Sequence, residues 1–152
     1  MAGSQQLPAG YLMDVKDVDR LGIGAALSQS AQSLFGRVKI GAVIVGKRGE
    51  FLGYGFNQRR THPRQYLANL RVGKQIERPC LHAEIAAILD AEQYYDQWAV
   101  RTEMHTLYVA RLDRNGAWAN CKPCAACHNE IVRVGIKRVV YTSQTGAKEY
   151  FV

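Results

Sequence analysis

Residues 81–88 read LHAEIAAI and residues 120–127 read NCKPCAAC, and these two stretches carry the most informative pattern of the 152-residue chain. They supply one imidazole, one carboxylate and two thiols, from His82, Glu84, Cys124 and Cys127. One histidine and two cysteines can hold a zinc ion and leave its fourth position open, as catalytic zinc sites do. A carboxylate beside that open position can act as an acid/base group. The pattern therefore predicts a catalytic centre.

Two predicted helices bring these groups together. Residues 81–95 are rich in alanine, leucine, isoleucine and glutamate, and residues 124–134 form a second helical segment that stops at Gly135. Cys124 and Cys127 are three residues apart, so they share one helix face. Both parts of the motif lie at helix N-termini, where the macrodipole favours thiolate over thiol and helps to hold negative charge near a metal.

Glu84 has a role separate from that of the predicted ligands. It stands two residues from His82 and therefore points in another direction, free to move protons. A zinc ion lowers the pKa of a bound water from about 15.7 to about 7, which supplies hydroxide at neutral pH. The combination HxE with a later PCxxC is the signature of zinc nucleobase deaminases. The sequence therefore predicts a hydrolytic deaminase in which Glu84 carries a proton from water to the base and another to the departing ammonia.

Each part of the motif has another interpretation when it is taken alone. A histidine on a helix is often a cap or a core residue, and PCxxC can be a redox pair. A structural zinc site needs four protein ligands, and Cys121 or Cys80 would complete that set. Cys121 is expected in the loop before the helix, and Cys80 is interpreted as a small buried hydrophobe. We therefore predict zinc binding by His82, Cys124 and Cys127 alone.

The remaining periodicities predict one helix before the motif and five strands. The helix covers residues 14–35, with Asp14 as its N-cap and Gly36 as its stop. The strands cover residues 38–45, 51–56, 106–112, 137–142 and 148–152, and the first two form a hairpin. The turn before the last strand is short, which forces antiparallel pairing.

Length and composition favour one domain inside the cell. With 47% hydrophobic residues the chain can build one core. Residues 1–10 are small and polar, so we expect a flexible lead-in to a single domain over residues 11–152. The sequence lacks an apolar run of about 18 residues, and three of its four cysteines crowd at metal-ligand spacing. We therefore expect no membrane span, reduced thiols and a cytoplasmic location.

The strings VKIGAVIV, GYGFN, LHAEIAAI, NCKPCAAC and GIKRVVY together resemble the cytidine/deoxycytidylate deaminase superfamily, over about residues 10–145. The resemblance implies a three-layer α/β/α fold with a mixed five-stranded sheet, and one zinc ion per subunit. It implies hydrolysis of a 4-amino pyrimidine to the 4-keto product and ammonia, with Glu84 as the proton shuttle. It also implies that Ala83 gives a backbone contact to the reacting amino group, that Asn57 contacts the sugar, and that the ligands are His82, Cys124 and Cys127.

Two features bear on the substrate. A histidine as the first ligand is similar to the deoxycytidylate, guanine and tRNA-adenosine branches of the superfamily, and Thr-His-Pro after Asn57 looks like the deoxycytidylate type. Too little chain follows Tyr141 for the extra helix and parallel fifth strand of the deoxycytidylate branch. The favoured substrate is a cytosine nucleotide or nucleoside, most simply dCMP or a deoxycytidine-type compound.

Residues 57–79 form a polar, basic segment of 23 residues, longer than compact domains usually leave as bare loop. A short helix is predicted near residues 65–70. Guanidinium groups suit phosphate oxygens, so the segment could form a phosphate pocket. Its candidate residues are Arg59, Arg60, His62 and Arg64, with Arg71 and Lys74 further along. The formal net charge of +7 agrees with an anionic ligand, and a solvated loop is the alternative.

Two other functions stay open from the sequence. A deaminase acting on single-stranded DNA or RNA would need aromatic stacking platforms among its charges. Few are available, namely Tyr54, Phe56, Tyr66 and Trp118. A non-catalytic zinc module that binds nucleic acid would have no use for an unligated Glu84. Apolar positions such as Ile85, Ile88 and Leu89 fit either a core or a subunit contact, and the resemblance implies a homo-oligomer.

Overall fold

The computed structural model describes residues 17–94 and 102–152 of the chain. Within them the helices are α1 Asp17–Ser30, α2 Pro63–Arg71, α3 Ala83–Tyr94 and α4 Ala125–Val134. The strands are β1 Ile40–Gly46, β2 Phe51–Phe56, β3 Met104–Arg111, β4 Arg138–Ser143 and β5 Gly146–Phe151. The predicted order of helices and strands is confirmed, including the short helix inside the basic segment.

The first helix ends earlier than the sequence pattern predicts. The Ser30 hydroxyl donates to the Leu27 carbonyl at 2.6 Å, and the chain leaves the helix through two tight turns, in which Gln32 and Ser33 donate backbone hydrogen bonds to residues three positions earlier. Leu34 fits the helical spacing but is 84% exposed, so it has no core contact that would extend the helix. The predicted N-cap at position 14 and the last predicted residue of α3 at position 95 lie outside the described residues.

The five strands form one mixed sheet in the order β2-β1-β3-β4-β5. Strands β3 and β4 are parallel, and α4 makes the crossover between them, as a parallel pair requires. The other neighbours are antiparallel. Strand β5 follows β4 after a short turn and pairs with it in antiparallel register, from Arg138 opposite Phe151 to Ser143 opposite Gly146. The predicted direction of the last strand is therefore confirmed.

Helices cover both faces of the sheet. On one face, Ile23 and Ala26 of α1 pack against Val43 and other residues of the sheet. On the other face, Ile88 of α3 and Ile131 of α4 pack against the sheet in a second cluster. Strand β1 is buried on both sides, which explains its almost continuous apolar sequence. The predicted three-layer α/β/α fold is confirmed.

Two glycines of β2 let α3 approach the sheet closely. A β-carbon at Gly55 would lie 2.5 Å from the Ala83 carbonyl oxygen, and one at Gly53 would lie 2.8 Å from the β-carbon of Ala91. Real β-carbons do not tolerate such separations, so these positions need glycine. This contact fixes the height of the first turn of α3 above the sheet. No helix among residues 17–94 and 102–152 is long and apolar enough to cross a bilayer.

Candidate metal centre and substrate cavity

Three side chains from two helix starts converge on one point. His82 directly precedes α3, Cys124 is the N-cap of α4 with an extended backbone, and Cys127 lies in the first turn of α4. The Nδ1 atom of His82 stands 3.2 Å from Sγ of Cys127 and 3.6 Å from Sγ of Cys124. All three ligand atoms lie within 4.8 Å of one another. The convergence predicted from the sequence is thus present.

This geometry fits a tetrahedral zinc ion. Zinc binds histidine nitrogen at about 2.0 Å and cysteine sulfur at about 2.3 Å, so adjacent ligand atoms of a tetrahedral site stand roughly 3.5 Å apart. The measured nitrogen to sulfur separations bracket that value. A set of one imidazole and two thiolates also suits zinc better than the hard, oxygen-preferring cations. Among the described residues this is the only cluster of histidine, cysteine or acidic groups placed to hold a metal ion.

Hydrogen bonds between the three groups shift their protonation. The hydrogen bond from Cys127, assisted by His82, lowers the pKa of the Cys124 thiol to about 3, so Cys124 is a thiolate. The same hydrogen bond to Cys124, together with burial, raises the pKa of Cys127. The hydrogen bond with Cys124 also raises the pKa of His82. Metal binding would displace the protons of these hydrogen bonds, because cysteine and histidine bind a metal ion in their deprotonated forms.

Glu84 lies beside the ligand cluster without belonging to it. Its side chain is hydrogen-bonded with Cys127, and the residue is only 5% exposed. Burial raises the pKa of its carboxyl group, because a desolvated carboxylate is costly. Glu84 also lines the cavity next to the cluster. A carboxyl group in this position can exchange protons with a molecule in that cavity.

The other two cysteines do not complete a four-ligand site. The buried Cys121 thiol donates to the Val109 carbonyl at 3.1 Å and lies 3.2 Å from the Thr142 hydroxyl, and burial raises its pKa to about 11. Cys80 is exposed, so its interpretation as a buried hydrophobe is wrong. The chain is extended here, and the buried residues on either side of Cys80, Pro79 and Leu81, turn its side chain outward.

A cavity of about 510 Å³ opens beside the cluster. Its walls include His82, Ala83, Glu84 and Cys124 on the metal side, and an apolar side formed by Phe35, Val38, Ile40 and Leu81. Asn57, Cys80, Arg111, Asn120, Cys121 and Lys122 complete the wall. The size and mixed lining suit a small molecule with a planar apolar part and a few polar groups.

Residues 19–143 match a protein family described as the cytidine and deoxycytidylate deaminase zinc-binding region. The matched region includes both parts of the metal cluster and most of the chain. The chain belongs to the cytidine and deoxycytidylate deaminase family. Zinc is therefore the ion for which His82, Cys124 and Cys127 are placed as ligands. No curated protein matches the chain significantly.

Solved structures of deaminases share the fold. Cytidine deaminase from Burkholderia pseudomallei matches 87% of this chain and 91% of its own, with 20% sequence identity and a TM-score of 0.62. A dCMP deaminase from the cyanophage S-TIM5 matches 80% of this chain and 79% of its own, with 24% identity and a TM-score of 0.54. Cytidine deaminase from Mycobacterium tuberculosis matches at 17% identity with a TM-score of 0.51, over 85% of this chain and 87% of its own. At these identities the likeness concerns the fold.

Two further residues predicted from the family resemblance line the cavity beside the cluster. Ala83 is fully buried in the first turn of α3, beside His82. The Asn57 amide oxygen accepts from the Ile40 backbone N–H at 3.0 Å, and its amide nitrogen donates to the Val38 carbonyl at 2.6 Å. An asparagine side chain has two donors and two acceptor positions, so Asn57 keeps one of each for a ligand.

The predicted phosphate residues are not brought together at the metal cluster. Arg59 stacks on Phe35, with its guanidinium carbon 5.7 Å from the ring centroid. Arg60 and His62 line a different cavity, of about 430 Å³, between β2 and α3. Arg64 forms ion pairs with Glu92 at 2.7 Å and Glu130 at 2.6 Å. None of the four lines the cavity of the ligands.

The remaining cations of the basic segment follow the same pattern. Arg71 pairs with Glu130 at 3.1 Å, and Lys74 is exposed. Two of the predicted phosphate-binding arginines, Arg64 and Arg71, thus form ion pairs with carboxylates that lie far away along the chain. The local sequence does not reveal these ion pairs. The cations that the structure does place in the deaminase cavity are Arg111 and Lys122, which the sequence analysis missed. A usable signal was the position of Lys122 two residues before the ligand Cys124.

Proposed function

We propose that this family member hydrolyses the 4-amino group of cytosine in a nucleotide or nucleoside, of the dCMP or deoxycytidine type, to the uracil product and ammonia. One observation carries the proposal. The buried Glu84, which is not one of the clustered ligands, lies in the wall of a cavity that two of the three predicted ligands, His82 and Cys124, also line. A purely structural zinc site has four protein ligands and needs no free carboxylate beside them.

Glu84 is proposed to carry protons through the reaction. Zinc bound by the cluster supplies Lewis acidity, which makes an attacking water nucleophilic near neutral pH. Glu84 takes a proton from that water and passes it to the ring nitrogen next to the reacting carbon. It then takes the remaining proton of the added hydroxyl, which becomes the keto oxygen, and delivers it to the amino group as the carbon–nitrogen bond breaks and ammonia leaves. Its burial supports this role, since a raised pKa brings a carboxyl group closer to the working pH of a proton carrier.

Two cavity residues are proposed to orient the substrate. The backbone of Ala83, at the start of α3, contacts the reacting amino group. Asn57 uses its remaining donor and acceptor on the sugar, while its two backbone hydrogen bonds hold the side chain in one position. Such restraint lowers the entropy that the site must lose when it orders a substrate.

The substitution Glu84→Gln tests the proposal. The amide keeps the shape of the side chain but cannot carry the proton, so turnover should fall by at least 100-fold while bound zinc is unchanged. Ammonia release should be measured with deoxycytidine, dCMP, cytosine, guanine and single-stranded oligonucleotides, together with zinc by elemental analysis. The exposed Glu77, changed to glutamine, is the matched control and should keep wild-type turnover.

Two outcomes would contradict the proposal. Unchanged turnover in Glu84→Gln would remove the proton-carrier role from this residue. A zinc-loaded wild-type protein that releases ammonia from guanine but from none of the cytosine compounds would replace the proposed substrate class.

A further inference from the structure

We propose that Arg111 and Lys122 form an anion subsite in the deaminase cavity and bind the 5′-phosphomonoester of a pyrimidine nucleotide. The inference rests on the proposed function, because it assumes that the base of the same molecule lies at Glu84. It replaces Arg59, Arg60, His62 and Arg64 as the phosphate-binding residues. It also narrows the substrate from a nucleoside or nucleotide to a nucleotide.

Arg111 lines the cavity and has no ion-pair partner among the described residues. It is the last residue of β3 and is half-buried. Its Nη1 atom donates to the Asn120 carbonyl at 3.3 Å, and its Nε atom is buried with no hydrogen-bond partner within residues 17–94 and 102–152. A buried donor without an acceptor destabilises the protein, so a group of this kind usually has a hydrogen-bond partner, and a bound ligand can be that partner.

The other two shielded arginines of the structure are paired differently. Arg64 is held by the carboxylates of Glu92 and Glu130. Arg138 is held by Asp19 at 2.7 Å, and by Glu149. In the part of the chain that the structure describes, Arg111 is also partly buried but has no carboxylate within ion-pair distance. The missing counter-charge at Arg111 is the feature that an anionic ligand would supply.

Lys122 adds a second positive charge to the same wall. It stands between the buried residues Cys121 and Pro123, two positions before the ligand Cys124. Its Nζ atom lies 5.7 Å from the centre of the Tyr150 ring. A contact with a ring face leaves the ammonium N–H groups available for oxygen acceptors. No ion pair to Lys122 occurs among the described residues.

The charges of the cavity favour a monoester over a polymer backbone. Among the described residues of the wall, Glu84 is the only aspartate or glutamate, and bound zinc would balance the charge of the Cys124 thiolate, so little opposes an anion bound near the two cations. A phosphomonoester carries about −1.5 to −2 at neutral pH, which two cations can balance. Each phosphate of a polynucleotide carries a single charge, and binding a strand would use a row of cations with stacking platforms. The cavity has two cations and one aromatic residue, Phe35, in its wall.

Kinetics with paired substrates test the subsite. Zinc-loaded wild-type protein and the Arg111→Gln and Lys122→Gln variants should be compared on dCMP and deoxycytidine, with zinc content measured for each. For each variant, we expect the KM for dCMP to rise at least tenfold more than the KM for deoxycytidine, because only dCMP presents the phosphate. Arg114→Gln is the matched control, an exposed arginine three residues away that does not line the cavity, and both KM values should stay at the wild-type level. Arg111→Lys should recover part of the loss.

Each result has one meaning. Equal KM changes for dCMP and deoxycytidine would overturn the subsite and leave the proposed function standing. Arginine-dependent preference for an oligodeoxycytidylate over dCMP would overturn the monoester assignment. If wild-type protein deaminates no cytosine compound, the proposed function fails, and calorimetry with inorganic phosphate and dCMP then decides about the subsite. Binding lost in Arg111→Gln but kept in Arg114→Gln would support an anion site, and equal binding would overturn it.

Discussion

At the scale of single residues, the position of the predicted zinc ligand His82 depends on a glutamine from the basic segment. The Gln65 amide oxygen accepts a hydrogen bond from the His82 backbone N–H at 3.0 Å, and its amide nitrogen donates to the Asn69 side chain at 3.1 Å. Gln65 is fully buried. The N–H groups at a helix start have no partner within the helix, so this side chain satisfies one of them from a distance. Gln65 is therefore a positioning residue for the metal ligand.

Replacing Gln65 by leucine should weaken metal binding. The His82 N–H would lose its acceptor in a buried place, which costs about 1–3 kcal/mol, and the imidazole would lose its fixed position. Loss of groups that orient a metal ligand typically lowers metal affinity by about 10–100-fold. Zinc affinity should be measured by competition with a chelator of known affinity. Gln75→Leu, an exposed glutamine of the same segment, should bind zinc like the wild type. Equal zinc affinity in both variants would show that Gln65 is not needed to place His82.

At the scale of elements, α2 turns the middle part of the basic segment, nine of its 23 residues, from a loop into a support for the site. His62 is its N-cap: the ring Nδ1 atom accepts from the Arg64 backbone N–H at 3.0 Å, and Pro63 occupies the first helical turn. Burial, and then the charges of Arg60 and Arg64, lower the pKa of His62 from its usual 6.5. Protonation would remove the acceptor that caps the helix.

The sign of the resulting pH dependence follows from that shift. The folded chain binds a proton at His62 less readily than the unfolded chain, so protonation favours unfolding. The stabilising contribution of the cap is complete above about pH 6.5 and is lost as the pH falls through the lowered pKa of the folded state. The cap is worth about 0.5–2 kcal/mol, which sets the size of the effect.

A comparison of the wild type with two variants separates the titration of His62 from that of other groups. His62→Asn keeps a capping acceptor at every pH, and His62→Ala lacks one at every pH. In denaturant unfolding, the wild type should resemble His62→Asn at pH 8 and approach His62→Ala at pH 5. A constant difference between the wild type and both variants across this range would exclude His62 as the titrating cap.

At the scale of the whole molecule, one buried carboxylate joins the helices that carry the site. Glu130 of α4 is 1% exposed and accepts from Arg64 at 2.6 Å and from Arg71 at 3.1 Å, both on α2. Arg64 also forms two hydrogen bonds with Glu92 on α3. The network therefore ties α2 to the two helices whose first turns bring the ligands together.

Removal of Glu130 should destabilise the protein strongly. Glu130→Ala removes the ion-pair partner of Arg71 and one of the two partners of Arg64, and breaking an ion pair that contains a buried charge typically costs about 3–5 kcal/mol. Glu149→Ala is the control, because Glu149 is half exposed and its ion pair with Arg138 should contribute about 1 kcal/mol or less. Urea unfolding of the zinc-loaded wild type and of both variants gives the loss in free energy of unfolding for each substitution. Similar losses in the two variants would show that the buried network contributes no more than a surface pair.

The apolar face of α3 is explained largely by the core. Ile85 and Ile88 are fully buried within the chain, and Leu89 is partly buried against an apolar cluster that includes Leu81 and Ile85. These residues therefore do not require a second subunit to cover them. The homo-oligomer implied by the family resemblance stays a prediction, which sedimentation of the zinc-loaded protein would test.

The sequence by itself determined the fold class and the metal centre. Both can be predicted from residues that are close together in the sequence. His82 and Glu84 differ by two positions, and Cys124 and Cys127 by three. Each pair lies at the start of a helix, so the helical period determines the directions of the side chains. The strands were readable for the same reason, because burial on both sheet faces gives β1 a nearly continuous apolar sequence.

Only the tertiary structure decided which charges face the cavity. Arg64 and Arg71 belong to a basic segment that looks suited to phosphate, yet their partner Glu130 lies 66 and 59 residues away along the chain. Arg111 ends a strand and has no local sign of function, but it lines the cavity, and among the described residues no carboxylate forms an ion pair with it. The energy of an ion pair depends on the distance between the two charges and on their burial. Both are properties of the folded chain, so the spacing of residues along the sequence does not predict them.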